Sequence, residues 1–191
     1  MLLIVSAATA AGLAGCQPAD EVRRYQVPRE QPAAPLKRPA TTKPSPAGPQ
    51  RMLVGMFPRP DSVWFFRLDG PEAQVTELKD AFEKLVRSIK FTGKADDPVI
   101  WTLPEGWKQE PAPKGSLRYA TLRVGTLEGR VARLGRESGT VLQNLERFRG
   151  EVGLPEPTEA DLAKDAKPIE VDGTAGTWID ITGPGGGKGM R

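Results

Sequence analysis

The chain of 191 residues contains no histidine and a single cysteine, Cys16. Without an imidazole there is no Ser-His-Asp or Cys-His nucleophile, no histidine metal ligand and no side chain that titrates by itself near neutral pH. A lone thiol closes neither an internal disulfide nor a CxxC redox pair. The carboxylates Asp96-Asp97 and Glu156, Glu159, Asp161 and Asp165 lack calcium-loop spacing, and they read as solvated loop and helix faces. Ser138, between Glu137 and Gly139, has no base and no nucleophile-elbow motif, so it reads as a helix cap. The closing glycines lack both the GK[ST] ending and the following helix of a phosphate loop, and they read as spacer. The expectation is a non-enzymatic protein with no catalytic residue, no metal site and no cofactor. Carboxylate-only mechanisms are the one class that the missing histidine leaves open.

The net charge of +3 is carried by residues 17–50, with six basic and three acidic side chains, whereas residues 51–191 balance 21 of each. That distribution is unlike the broad basic footprint of a nucleic-acid protein, and no nucleic-acid partner is expected. Charge is uneven within the neutral part: residues 114–150 hold eight basic and three acidic side chains, and residues 151–172 hold two and seven. Arg118, Arg123, Arg133, Arg147 and Arg149 are therefore candidates for a positive face that docks an acidic partner or lipid headgroups. The alternative is that the two blocks pair with each other. Trp107, in a turn, and Tyr119, on the mixed face of a strand, are the aromatics expected nearest solvent, and Trp64 and Phe82 are assigned to the core.

Residues 1–15 are apolar and small, and too few to span a bilayer, which needs about 20 residues. They read as a secretory signal core. The run closes in Leu13-Ala14-Gly15-Cys16, which resembles the lipobox of bacterial lipoproteins. The resemblance implies cleavage before Cys16, acylation of its thiol and a protein held to a membrane of the cell envelope by its acyl chains. No Lys or Arg precedes the apolar core, a departure from the usual signal pattern. The alternative is a buried amino-terminal helix with Cys16 as a core residue. Residues 16–50 follow as a lipidated cysteine and a tether. Eight of the chain's 19 prolines fall in residues 17–50, with few large apolar side chains to offset the entropy of ordering. Such a tether spans roughly 30–35 Å as a coil and about 100 Å as polyproline II.

From residue 51 to 182 the pattern is that of one folded domain. Residues 52–57 and 62–68 read as strands around the turn Pro58-Arg59-Pro60-Asp61. The second strand is apolar on both alternating faces except at Arg67, which suits the middle of a sheet covered on both sides. Asp69-Gly70-Pro71-Glu72 reads as a helix start, followed by Val75, Leu78, Phe82, Leu85, Val86 and Ile89 on one stripe. Strands are expected at 99–103, 117–124 and 129–134, then a helix over about 139–152 stopped by Gly153, and a short helix from Thr158 with an approximate capping box. A final hairpin, 168–171 and 174–181, turns at Asp172-Gly173, and residues 183–191 read as a flexible tail. The fold class is α+β: an antiparallel sheet of six or seven strands covered by helices on both faces.

The segment 101–107 (WTLPEGW), residues 118–122 (RYATL) and residues 144–150 (NLERFRG) before Gly153-Leu154-Pro155 are similar to uncharacterised envelope proteins and lipoproteins of planctomycete-type bacteria. Those in turn resemble the PsbP and Mog fold, a helix–sheet–helix sandwich. In the usual order of that fold the WTLPEGW strand comes first, and the segment resembling 63–71, with its helix, comes last. Here the last piece comes first, which implies a circular permutation, or else two fragments of a tandem repeat completed in a swapped dimer. The relatives with known roles are assembly or binding proteins. The resemblance thus implies a partner-binding module in the envelope, with carriage of a small apolar ligand or lipid as the rival function.

Overall fold

The computed structural model describes residues 48–94 and 98–186. The expected signal segment, Cys16, all but the end of the tether, Asp96-Asp97 and the last five residues lie outside the described residues.

Among the described residues nine strands and three α-helices follow one another in the order β1 (Gln50–Pro58), β2 (Val63–Pro71), α1 (Glu72–Arg87), β3 (Lys90–Phe91), β4 (Val99–Ile100), β5 (Lys108–Pro111), β6 (Arg118–Val124), β7 (Leu127–Leu134), α2 (Val141–Glu151), α3 (Glu159–Asp165), β8 (Ala166–Val171) and β9 (Thr174–Gly183). Seven of the strands form one sheet ordered β5-β6-β7-β2-β1-β9-β8, antiparallel throughout, while β3 and β4 make a separate two-stranded ribbon. Residues 52–56 of β1 pair with residues 177–181 of β9 within one chain, and β2 lies between β1 and β7.

Side chains alternate across a strand, so the doubly apolar β1 and β2 each supply two cores. Leu53, Phe57, Trp64, Phe66 and Leu68 pack with Val75, Phe82, Leu85 and Val86 of α1. Met52, Val54, Met56, Val63 and Phe65 pack on the opposite side with Leu145 and Phe148 of α2, joined by the half-buried Leu162 of α3. The sheet is covered by α1 on one face and by α2 and α3 on the other.

Local chemistry explains the joints. Both Asp172 (φ 49°) and Gly173 (φ 66°) lie in the left-handed region, the conformation a two-residue hairpin turn requires. Thr140 and Thr158 cap α2 and α3 with full capping boxes, closed by Gln143 and Asp161. Gly153 (φ 84°) ends α2 while the Leu154 N–H returns to the Arg149 carbonyl.

Several expectations are corrected. Asp69 does not cap α1: β2 runs directly into the helix through Pro71, the Glu72 N–H donates to the Pro49 carbonyl, and the Asp69 carboxylate pairs with Arg67. Ser138 lies in a 3₁₀ turn, Arg136–Ser138, and the cap is Thr140. Within 99–103 only Val99 and Ile100 are in a strand, and they join β3 in the small ribbon, since Trp101 instead turns its ring edge-on to Phe66. β5 was not expected at all: its sequence KQEP is fully exposed and has no apolar periodicity, so only its ladder with β6 makes it a strand. At the other end β9 continues through Gly183, and the Gly185 N–H donates to the Val152 carbonyl, so the start of the expected tail is held against the domain.

Candidate functional site

The registers define two ends of the sheet. At the end where β1 finishes lie the turn between β1 and β2, the start of β6, the end of β7 and the Asp172-Gly173 turn. At the opposite end lie Gly48, the entry to α1 and Gly185, close enough that a Cβ on Gly185 would stand 2.3 Å from the Gly48 carbonyl oxygen.

Tyr119 and Arg133 belong to the first end. The half-buried Tyr119 ring meets Trp64 edge-on at 4.9 Å and Trp101 at 6.3 Å. Arg133 stands over Trp64 at 5.8 Å while pairing with Asp61 at 2.6 Å. Arg59, unremarked in the sequence, lies 4.6 Å over the Phe91 ring and donates to the Thr174 hydroxyl, and the Phe91 N–H donates to the Asp172 carboxylate. Leu117, two residues before Tyr119, is 81% exposed. Trp101 carries a buried indole N–H with no acceptor among the described residues. Aromatic rings, stacked guanidiniums and an exposed leucine thus gather at one end of the sheet.

Arg118 and Arg123 project from the face that carries α2. There an ion-pair chain crosses four strands: Glu110 to Arg123 (3.0 Å), Arg123 to Glu128 (2.8 Å), Glu128 to Arg130 (3.8 Å), Arg130 to Asp69 (3.5 Å), Asp69 to Arg67 (2.8 Å) and Arg67 to Glu151 of α2 (2.5 Å). Arg118 also holds Glu128. Burial pushes the Glu128 carboxyl up, but its hydrogen bond to Arg118 and the surrounding guanidiniums outweigh that and hold it below the ordinary range. Arg147 sits 4.7 Å over Phe148 and donates to Asn144; partial burial, with the neighbouring Arg67 charge, lowers its pKa despite the opposing pull of Glu151.

Three residues expected at the surface, Trp107, Arg149 and the carboxylate Asp165, are interior. Trp107 is 7% exposed and stacks on Phe82 with ring planes 11° apart, because the turn before β5 folds back over the end of α1's apolar stripe. Arg149 is 5% exposed, paired with Asp165 and, at 3.3 Å, with Asp161, and it donates to the Pro155 carbonyl. None of the three presents a surface to a partner. The five arginines therefore form no common face: Arg133 lies on the α1 side, Arg118 and Arg123 on the α2 side, Arg147 at the edge of α2, and Arg149 beneath it. The alternative, that the two blocks pair with each other, holds for Arg149 alone of the five. Its partners are Asp161 and Asp165 of α3, whereas Arg118 and Arg123 find carboxylates on neighbouring strands, Arg133 finds Asp61 in the turn before β2, and Arg147 forms no ion pair among the described residues. A signal for the ion-pair chain existed in the alternation of β7, where Glu128 and Arg130 share a face, but its partners come from strands distant in sequence.

Among the described residues no group of three or more Cys, Asp or Glu side chains is arranged to hold a metal, and no helix is long and apolar enough to cross a membrane. A groove of about 400 Å³ runs beside β8, between residues of α1, α3, β8 and β9. Compared with known proteins, the chain matches no family model, no curated protein and no solved structure.

Proposed function

We propose that this chain is a bacterial envelope lipoprotein, anchored through acylated Cys16, whose domain binds a protein partner and catalyses no reaction. The observation that carries the reading is polarity along the sheet. The chain enters the domain at Gly48, at one end, while Leu117, Tyr119, Phe91 and the ring-stacked Arg59 and Arg133 gather at the other. Aromatic and arginine side chains beside the exposed Leu117 are the residue types that protein interfaces use as anchors. Carriage of an apolar ligand is the second reading; it needs an apolar cavity, and the groove beside β8, lined mainly by charged side chains, does not supply one.

The planctomycete-type family and the PsbP and Mog sandwich belong to the same proposal. A seven-stranded antiparallel sheet with helices on both faces supports it, and so does the pairing of β1 with β9, which a permutation of that fold requires. The test is a photo-crosslinking residue at position 117 in the full-length protein, in envelope membranes. One discrete crosslinked protein, lost in Arg133→Ala and absent when the probe is moved to Thr126 at the opposite end, is the expected result. Crosslinks only to lipid would sink the partner reading, and a Cys16→Ala protein that still fractionates with membranes would sink the anchor.

A further inference from the structure

The groove beside β8 has one wall on α1, where Lys79, Glu83 and Arg87 recur every fourth residue and so share one stripe of the helix. Lys164 at the end of α3 and Lys167 on β8 stand among the other lining residues, with Trp178 and Ile169 as the large apolar ones. Each carboxylate of the groove is already engaged by a cation. Asp180 accepts from Lys79 at 2.9 Å and from Arg51 at 2.8 Å, Glu83 accepts from Arg87 at 2.7 Å, and Asp165 accepts from Arg149. Arg51 and Arg149 do not themselves line the groove. They neutralise two of its three carboxylates from behind, which leaves Lys164 and Lys167 without a carboxylate among the described residues. The groove therefore offers spare ammonium donors beside the exposed edges of Trp178 and Ile169, in a volume of about 400 Å³ that lies within the range of small-molecule sites.

We propose that this groove binds a small organic oxyanion, a carboxylate or phosphate monoester that bears an aromatic or aliphatic group. The oxyanion is held by Lys164 and Lys167, and the apolar group lies against Trp178 and Ile169. Trp178 and Ile169 are 9% and 7% exposed and held by packing (Trp178 on Phe82 at 5.9 Å), so each offers the groove one fixed edge and not a whole face. The proposal is independent of the anchor and of the protein partner, both of which concern other parts of the molecule.

Phenyl phosphate serves as the probe, titrated into the full chain carrying Cys16→Ala while the Trp178 indole and the amides of residues 164–169 are followed by NMR. Saturable shifts confined to these positions below about 10 mM are expected, with inorganic phosphate and phenol each binding at least about tenfold more weakly. Lys164→Gln with Lys167→Gln should weaken binding about tenfold or more without changing the melting temperature, and the outward-facing Lys84→Gln should leave it unchanged. No saturable shift by 10 mM, equal binding of inorganic phosphate alone, or unaltered affinity in the double lysine variant would each overturn the proposal.

Discussion

Arg149 and Asp165 are 6% and 7% exposed at their side chains, which makes them the most deeply buried ion pair of the domain's described residues. Removing one member leaves the other charge without compensation in a low-dielectric site, so Arg149→Ala should destabilise the domain by about 3–5 kcal/mol. The double change Arg149→Met, Asp165→Leu should recover most of that loss, because the penalty comes from the orphaned charge more than from the missing attraction. Urea denaturation of the three proteins checks both statements. Asp180 makes a different prediction. Burial pushes its carboxyl up, but Arg51 and Lys79 outweigh that and hold it below the ordinary value in the folded state. The unfolded chain therefore binds a proton first as pH falls. The stabilisation is complete above the unfolded carboxyl pKa of about 4 and is lost as pH falls through the lower folded value. Melting curves should show Asp180→Asn less stable than the parent at neutral pH, with the difference shrinking below about pH 4.

Elements depend on their ends and on close approaches as much as on their apolar stripes. Thr140→Ala and Thr158→Ala each remove the hydroxyl of a complete capping box, and each should lower stability by about 1 kcal/mol in denaturant titrations, with Ser substitutions close to neutral. Gly176 of β9 is a harsher case, since an added Cβ would stand 2.4 Å from the Phe57 ring and 2.7 Å from the Met56 carbonyl oxygen. Phe57 is fully buried and cannot swing away. Gly176→Ala should cost about 1–3 kcal/mol through overpacking, measured as a shift of the urea midpoint at constant slope. The edge strands make the opposite use of their residues. β5 is short and carries Lys108 and Glu110, and β8 carries Lys167 and Pro168, so neither edge is an easy template for a further strand.

At the scale of the molecule the ends of the domain meet. Gln50 pairs with Gly183 across β1 and β9, and Gly185 approaches Gly48. A short linker from Gly186 to Gly48 should join them without strain, and a new start at the exposed Lys94, which puts β4 first and β3 last, tests the proposed permutation. That permutant should fold with the parent's near-UV circular dichroism, which four tryptophans in the sequence make sensitive to packing. A molten spectrum would mean that continuity from β2 through α1 to β3 is required for folding, against the permutation reading.

The apolar runs of β1 and β2, the three- and four-residue spacing of α1 and the Asp172-Gly173 turn are local patterns and local backbone chemistry, and they were sufficient to define these elements, the two-faced core and the central place of β2. Distance along the chain hides the rest. Trp107 looks like a turn residue until α1, some 25 positions earlier, supplies Phe82 beneath it. Arg149 looks like one more surface cation until Asp161 and Asp165 close over it. β5 has no apolar pattern and exists because β6 offers it a ladder. The sequence by itself determined which segments bury apolar surface, since that depends on neighbours a few residues away. Only the tertiary structure decided which charges face one another and which aromatics reach solvent, because burial of a side chain is set by whatever packs over it, and those elements are distant in sequence.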